Sequence, residues 1–295
     1  MAKATLLFIG TDDGLVLLSD PAGQGRWLRS AHQLQGSVVQ SVWVDPSNPL
    51  ITLAIADRRV LRSSDGGQTW QTVRLESDLT ATAALYGDPR RPALVYLLAN
   101  DLLFESRDAG GTWRTIALPG QCNGCAIDGA GRLVVASGNQ ALIGGERNAQ
   151  WAPLGSPLPD VIRMLATPPG GAGALCALAG GGVYVFAQDA WHRVDHLPGE
   201  VATCAVLAGA APTLLAALTD GGIVRGTLHA WEPAVVALPW ESATTVLSPA
   251  AYHMDTAFAS SAHGDIAITL DRGRSWTVVR RGLAAVRSIA AARLA

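Results

Sequence analysis

Short apolar runs, each bounded by polar turn residues, recur along the whole chain. In one repeat these runs cover residues 38–44, 51–55, 60–63 and 70–75. The segment 45–49 between the first two runs holds two prolines, an aspartate and an asparagine, which favour a tight turn. No run shows the 3.6-residue spacing of an amphipathic helix, so each repeat is predicted to form four short antiparallel strands.

Tryptophans mark the length of the repeat. Seven of the nine tryptophans are separated by 43, 43, 38, 40, 40 and 45 residues, and they are Trp27, Trp70, Trp113, Trp151, Trp191, Trp231 and Trp276. A period of roughly 40 residues built only of short strands is typical of a β-propeller, in which each repeat is one blade. The sequence therefore predicts an all-β fold, a single seven-bladed propeller of four-stranded antiparallel blades over residues 1–295.

The two ends of the chain are predicted to share one blade. Candidates for the innermost strand of a blade begin near Val38, Thr80, Cys122, Val161, Val201, Ala243 and Ala285. Residues 5–9 match the pattern of a second strand, so the first blade has no innermost strand of its own. We expect the apolar run 285–290 to pair with residues 5–9, because this pairing closes the ring and leaves no large exposed sheet edge.

The turn between the third and fourth strands carries a motif in three of the repeats. Residues 63–70 and 106–113 fit the pattern S-x-D-x-G-x-T-W, and residues 269–276 fit it with Thr for Ser and Ser for Thr. In this motif the chain resembles the Asp-box, or BNR-repeat, propeller family, and together with the periodicity the resemblance covers the whole chain. The other four repeats keep the tryptophan but lack the motif.

The motif residues are predicted to stabilise the fold. An aspartate can accept hydrogen bonds from the N–H groups of its own turn, a glycine permits a positive φ, and a tryptophan buries a large ring. In the family these turns lie on the rim opposite the usual ligand face. The residues with this predicted structural role are Ser63, Asp65, Gly67, Thr69, Trp70, Ser106, Asp108, Gly110, Thr112, Trp113, Asp271, Gly273 and Trp276.

The resemblance implies a fold and no single activity, because Asp-box propellers include sialidases, xyloglucanases, sortilin-type receptors and a photosystem II assembly propeller. A sialidase site needs three arginines, a Tyr–Glu nucleophile pair and an Arg-Ile-Pro type motif, and that motif is absent here. Only Arg163 and Arg287 are basic residues near the start of an innermost strand. We therefore expect a noncatalytic protein-interaction or assembly scaffold module, with a sialidase-like glycoside hydrolase or a glycan-binding propeller as the alternative.

Composition limits the partners and the location. The formal net charge is −2 and only 16% of residues are charged, which excludes a strong field for binding nucleic acid. The uncharged stretch 201–219 approaches the length of a membrane helix, but Gly209 and Pro212 interrupt it and the repeat places two short strands there. The first residues lack the long apolar core of a secretory signal, so we expect a cytoplasmic protein with no membrane insertion.

Cysteine and histidine give weak signals. Cys122 and Cys125 form a C-x-x-C pair, which could be redox-active or half of a zinc site, although small buried side chains are the simpler interpretation. His192 and His196 alone among the histidines have a metal-ligand spacing, and we expect them to be exposed. No phosphate-binding loop is present, so neither a cofactor nor a metal is predicted.

The loops that lead into the innermost strands share one face of a propeller with the hairpins between second and third strands. Four of these seven loops contain a carboxylate, and Trp240 is the one tryptophan among them. An aromatic beside carboxylates suits a basic segment of a partner protein, whereas a plain solvated rim is the simpler alternative. The predicted binding residues are Glu76, Asp78, Asp160, Arg163, Glu200, Trp240 and Glu241.

Overall fold

The computed structural model describes residues 4–77, 79, 82–99, 101–144, 150–170, 175–227 and 230–294, which form strands and turns without any helix. Within these ranges, accordingly, no helix has the length and apolarity needed to cross a membrane. In chain order the strands are β1 (Thr5–Thr11), β2 (Gly14–Asp20), β3 (Leu28–Gln33), β4 (Val39–Val44), β5 (Thr52–Ala56), β6 (Arg59–Ser63), β7 (Gln71–Val73), β8 (Ala83–Asp88), β9 (Arg91–Ala99), β10 (Leu102–Ser106), β11 (Arg114–Ile116), β12 (Gly124–Ile127), β13 (Leu133–Ser137), β14 (Gln140–Gly144), β15 (Trp151–Pro153), β16 (Ile162–Ala166), β17 (Leu175–Ala179), β18 (Gly182–Ala187), β19 (Ala190–Arg193), β20 (Val201–Leu207), β21 (Thr213–Leu218), β22 (Ile223–Gly226), β23 (Trp231–Pro233), β24 (Thr244–Pro249), β25 (Ala257–Ser261), β26 (Ile266–Thr269), β27 (Thr277–Arg280) and β28 (Val286–Arg293).

The strands of the described residues form seven antiparallel sheets of four. Listed from the centre outwards, blades 1 to 7 are β28-β1-β2-β3, β4-β5-β6-β7, β8-β9-β10-β11, β12-β13-β14-β15, β16-β17-β18-β19, β20-β21-β22-β23 and β24-β25-β26-β27. The innermost strands contact one another in the cyclic order β28, β4, β8, β12, β16, β20, β24 and back to β28. The predicted all-β, seven-bladed propeller is therefore confirmed.

The strand starts follow the pattern of apolar residues closely. The innermost strands predicted to begin near Val38, Val161 and Val201 begin at Val39, Ile162 and Val201. The start predicted at Thr80 lies outside the described residues. The stretch 201–219, which has nearly the length of a membrane helix, forms the two strands β20 and β21 as the repeat predicts.

The C-terminal strand closes the ring. Strand β28 pairs antiparallel with β1, placing Ile289 opposite Ile9, and it continues three residues beyond the predicted end at residue 290. At the start of this pairing the Arg287 guanidinium donates two hydrogen bonds to the Asp12 carboxylate, at 2.6 and 2.8 Å. The hydrogen bond from Arg287 is the main cause that lowers the pKa of Asp12.

The apolar core lies between the blades. Each second strand is buried on both faces, as in β5, β17, β21 and β25, because a neighbouring blade covers each side. Tryptophans of two outermost strands also form hydrogen bonds to the preceding blade. The Trp151 indole N–H donates to the carbonyl of Ala117, and the Trp191 indole N–H donates to the carbonyl of Leu154, each in the preceding blade.

The three turns 63–70, 106–113 and 269–276, here called the Asp-centred turns, share one hydrogen-bond network. The hydroxyl that opens each turn accepts a 2.8 Å hydrogen bond from the N–H of a glycine four residues later; the pairs are Ser63–Gly67, Ser106–Gly110 and Thr269–Gly273. These glycines have φ between +83° and +87°, a conformation that other residues adopt only with strain. The network therefore ties the end of the third strand to its turn.

The aspartates of these turns accept bonds from the residue four positions later. Asp65 accepts both the N–H and the hydroxyl of Thr69, and Asp108 does the same with Thr112. In the third turn Asp271 accepts both groups of Ser275. The Trp70 and Trp113 indoles donate to the glycine carbonyls of their own turns. Trp276 is 3% exposed, and its N–H has no hydrogen-bond partner among the described residues.

Replacing Thr269 with valine should lower the free energy of unfolding by about 1–3 kcal/mol, because the buried Gly273 N–H loses its acceptor while the side chain keeps its shape. Urea denaturation measures this change. Thr269→Ser is the matched control, since it keeps the hydroxyl, and its cost should be less than half as large. Equal losses in both variants would show that packing of the methyl group, and not the hydrogen bond, stabilises this turn.

The Asp-centred turns should also make stability sensitive to acid. Hydrogen bonds from the hydroxyl and N–H of Thr69 lower the pKa of Asp65 to about 2. Desolvation raises the pKa of Asp108 and of Asp271, but hydrogen bonds within each turn outweigh it, so both lie below the ordinary value. A lowered carboxyl pKa stabilises the fold above the unfolded value of about 4, and this contribution disappears as the pH falls towards 2.

The variant Asp65→Asn separates this effect from general acid denaturation. Its urea midpoint should lie below that of the wild type at neutral pH, and the gap should narrow between about pH 4 and about pH 2 as Asp65 takes up a proton. The measurement is a series of urea titrations at each pH where both proteins fold. A gap that stays constant with pH would contradict the assignment.

Candidate partner-binding face

The antiparallel order of the strands separates the loops into two faces. Loops between blades and hairpins between second and third strands lie on one face, here called the top face. Turns between first and second strands and between third and fourth strands lie on the other, the bottom face. The Asp-centred turns therefore belong to the bottom face, and the predicted binding loops belong to the top face.

Four carboxylates of blades 5 to 7 form a contiguous group on the top face, here called the acidic sector. Its members are Asp160, Glu200, Asp220 and Glu241, all exposed. Asp160 and Glu200 flank the hairpin at Gly180 and Gly181. The Glu200 carbonyl accepts the N–H of Thr219, and the backbone of Glu241 lies against Gly221, so these glutamates flank the next hairpin. The sequence prediction thus names three residues that the fold brings together with Asp220.

Glycines bring two of these side chains close to the hairpin backbone. A Cβ atom on Gly180 would collide with the carboxylate of Asp160, and one on Gly181 would collide with the side chain of Glu200. Both glycines also have a positive φ, at 53° and 75°. The Gly-Gly hairpin therefore lets the two carboxylates pack beside it on the top face.

Some carboxylates of the top face have a cationic partner, but among the described residues the acidic sector has none. Asp12 is paired with Arg287, and Asp265 is paired with Arg281 at 3.2 Å. In the described part of the chain, none of the four sector carboxylates has an arginine, lysine or histidine nitrogen within 4.0 Å. Their mutual repulsion is therefore left for solvent and counterions to screen.

The remaining predicted binding residues lie elsewhere. Glu76 is exposed on the loop between blades 2 and 3, where its carboxylate accepts a hydrogen bond from the Thr115 hydroxyl at 3.1 Å. Asp78 lies outside the described residues. Trp240 is half-buried against the core shared by blades 6 and 7, and its indole N–H lies 3.3 Å from the hydroxyl of Thr244. Its ring therefore supports the loop before Glu241, and only part of it is open to a partner.

Arg163 and Arg287 occupy equivalent positions on innermost strands. In five blades the pairing of the innermost strand with the second strand is interrupted by a bulge one residue after its start. The bulged residues are Gln40, Arg163, Ala202, Thr245 and Arg287. Bulges re-aim a side chain, and here each follows a fully buried residue. Arg163 makes only a 3.4 Å contact, to the carbonyl of Val201 in the next blade.

Small side chains on the innermost strands leave cavities along the propeller axis, which the sequence analysis did not foresee. A cavity of about 610 Å³ opens at the top face beside Tyr86, Asn123 and Arg287. A second, of about 280 Å³, opens at the bottom face beside Trp43 and prolines such as Pro46. The signal in the sequence is the abundance of alanine and glycine on the innermost strands, as in Ala83, Ala84 and Gly87.

The surroundings of the cysteines do not favour a reactive thiolate or a metal site. All four cysteines are free and buried. Burial raises the pKa of Cys122 to about 11 and that of Cys204 to about 12, and it raises the pKa values of Cys125 and Cys176 well above the ordinary value. Thiols in this state are protonated at neutral pH and are poor nucleophiles. Among the described residues, no group of three or more histidine, cysteine or acidic side chains is arranged to hold a metal.

The tyrosines bear on the carbohydrate-active alternative. Tyr86 lines the channel below the top-face mouth, and burial raises its pKa well above the ordinary value. Burial likewise raises the pKa of Tyr252 to about 12. The Arg293 guanidinium lies 4.8 Å from the Tyr252 ring centroid and lowers the pKa of that tyrosine, but the effect of burial is larger. Neither tyrosine is therefore in surroundings that favour the ionised form.

Comparison with known proteins gives a fold and no close relative. No family model and no curated protein matches the sequence. The structure is similar to that of YCF48 bound to D1 peptide, with a TM-score of 0.62 and 15% identity over 82% of each chain. It is also similar to the WD40 repeats of RRP9, with a TM-score of 0.65 and 12% identity over 88% of this chain and 84% of that one.

An ancestral GH74 enzyme has a TM-score of 0.60 and 16% identity over 92% of this chain, but only 46% of that enzyme is covered. All three identities are low, so these similarities establish the propeller fold alone.

Proposed function

We propose that the chain is a noncatalytic protein-interaction module whose top face binds a basic segment of another protein. The observation that carries this proposal is the acidic sector. Four carboxylates on consecutive loops and hairpins of blades 5 to 7 are exposed, contiguous and without a cationic partner among the described residues. A basic segment of a partner would supply the missing charges.

The bottom face provides the contrast. Apart from the exposed Asp189, its described carboxylates are engaged by their own turns or by neighbouring arginines: Asp45 accepts the N–H of Ser47, and Asp88 is bonded to Arg90 and Arg91. The Asp-centred turns use their carboxylates in the same way. Asp220 also accepts an N–H of its own turn, from Gly222. Among the described residues, however, only the top face has a contiguous group of carboxylates without a cationic partner, so electrostatic attraction favours a basic partner at the top face.

Two further observations support the proposal. The similar YCF48 structure contains a bound D1 peptide, so a propeller of this architecture accommodates a peptide ligand. We also infer that the chain is an Asp-box propeller, because three turns share both the motif and the hydrogen-bond network. In such a fold the hydrogen bonds of these turns engage polar groups of the bottom face, and the loops of the top face stay available for recognition.

Neutralising the acidic sector should weaken partner binding without affecting the fold. The test compares wild type with the double variant Glu200→Gln/Glu241→Gln in quantitative affinity capture from the native lysate, at low and high salt. A partner recovered by the wild type should fall by about fivefold with the double variant, and more salt should reduce wild-type recovery, because exposed charges are screened over about 8–10 Å. With that partner purified, the loss should be mainly in its association rate.

Asp189→Asn is the matched control. Asp189 is an exposed bottom-face carboxylate on a turn with positive φ, which asparagine tolerates. The control should recover the partner as the wild type does, with an unchanged urea midpoint. A partner lost with Asp189→Asn but kept by the double variant would place binding on the bottom face and overturn the proposal.

A further inference from the structure

The cavity at the top-face mouth has a lining unlike the rim around it. Its polar side chains are amides, hydroxyls, a thiol and one guanidinium; its residues are Val38, Gln40, Thr82, Ala83, Ala84, Tyr86, Leu98, Gln121, Cys122, Asn123 and Arg287. Among these described residues there is no carboxylate, although the rim of the same face carries many. Asp12 and Asp57 contact this lining, but they already accept hydrogen bonds from Arg287 and from the N–H of Val38. The remaining N–H donors favour a ligand group that is an anionic acceptor.

Arg287 is held in position to act as the main donor. Its Nε and Nη2 groups donate to the two carboxylate oxygens of Asp12, so one edge of the planar guanidinium is fixed. The other edge includes Nη1, for which the described residues provide no partner, and Arg287 lines the cavity. The bulge at Arg287 lies on a strand paired along its length, so the group is placed by rigid backbone and by its ion pair.

Two amides lie on the same cavity wall. The Gln121 side chain is exposed, and no hydrogen bond of the described residues uses its amide. Asn123 makes one long contact, with its Nδ2 3.5 Å from the carbonyl of Ile162. Leu98 and Tyr86 form an apolar wall beside them. Arg287, Gln121 and Asn123 are all exposed, so a ligand can reach the three donors from solvent.

We propose that this cavity receives a carboxylate carried by the partner's peptide segment, held by the free edge of Arg287 together with the amides of Gln121 and Asn123. The proposal rests on the proposed function and names the chemistry of its ligand. The cavity is lined by residues of blades 1 to 4, and the acidic sector lies on the same face in blades 5 to 7. Since the sector selects basic residues, the expected segment presents one carboxylate and also carries basic residues. That carboxylate is either an acidic side chain or a chain terminus.

The test uses short peptides and the side-chain signals of the full-length protein. The probes are N-acetyl-Gly-Glu-Gly-amide, the same peptide with glutamine, and N-acetyl-Gly-Gly-Gly with a free carboxylate. We expect saturable shifts of the Arg287 Nε–H and Gln121 amide resonances with a carboxylate probe and none with the glutamine probe. A response to only one of the two carboxylate probes identifies the source. Equal responses to the glutamine and glutamate probes would overturn the proposal.

Gln121→Glu replaces an amide of the cavity lining with a carboxylate of nearly the same shape. It should weaken binding of the responding carboxylate probe by about tenfold. Gln71→Glu is the matched control, since Gln71 is exposed on an outermost strand, and it should leave the affinity unchanged. Unchanged affinity with Gln121→Glu would overturn the cavity assignment. A lysate partner lost with Glu200→Gln/Glu241→Gln but fully kept by Gln121→Glu would refute this inference and leave the proposed function standing.

Discussion

Burial of both faces of every blade is the constraint from which the rest of the structure follows. Strands β5, β17, β21 and β25 are buried along their whole length, which an isolated sheet could not achieve in water. Each blade therefore needs a neighbour on both sides, and only a closed ring supplies one everywhere. The pairing of β28 with β1 is what completes the ring, and the Arg287–Asp12 pair lies at its top edge.

The same constraint determines where recognition can occur. Because both faces of each sheet are packed against neighbouring blades, the accessible surface consists of the two rims, the outermost strands and the axial channel. Hydrogen bonds within the Asp-centred turns use the polar groups of the bottom rim. Among the described residues, the contiguous group of carboxylates without a cationic partner lies on the top rim, and the cavity with exposed donors opens on the same face. In the proposed function, fold stability and partner binding are carried by different groups of residues.

Much of the fold could be predicted from the sequence, because its signals are local and repeat. The tryptophan spacing gives the blade count, and the unpaired run at 285–290 gives the closure. The contiguity of Asp160, Glu200 and Glu241 follows from the same repeat, since each precedes an innermost strand. These predictions needed only the period and the antiparallel order of strands within a blade.

Other features depend on contacts that a repeat pattern does not contain. The bulges at Arg163 and Arg287 arise from the register between two strands, and no residue type announces them. The half-buried position of Trp240 depends on the core between blades 6 and 7. The channel is lined by small side chains of several strands that are distant in sequence. Each of these features requires knowing which residues meet across blades.

Closure by the last strand has a consequence for how the protein is made. Strand β1 leaves the ribosome early, but its inner edge stays unpaired until residue 293 has been synthesised. At about 5–20 residues per second this interval is roughly 15–60 s. During it the nascent chain exposes an apolar strand edge with Leu7 and Ile9, which are fully buried in the finished protein. Early chaperone contact with the first blade would protect the chain at the stage when it is most prone to pair with the wrong strand.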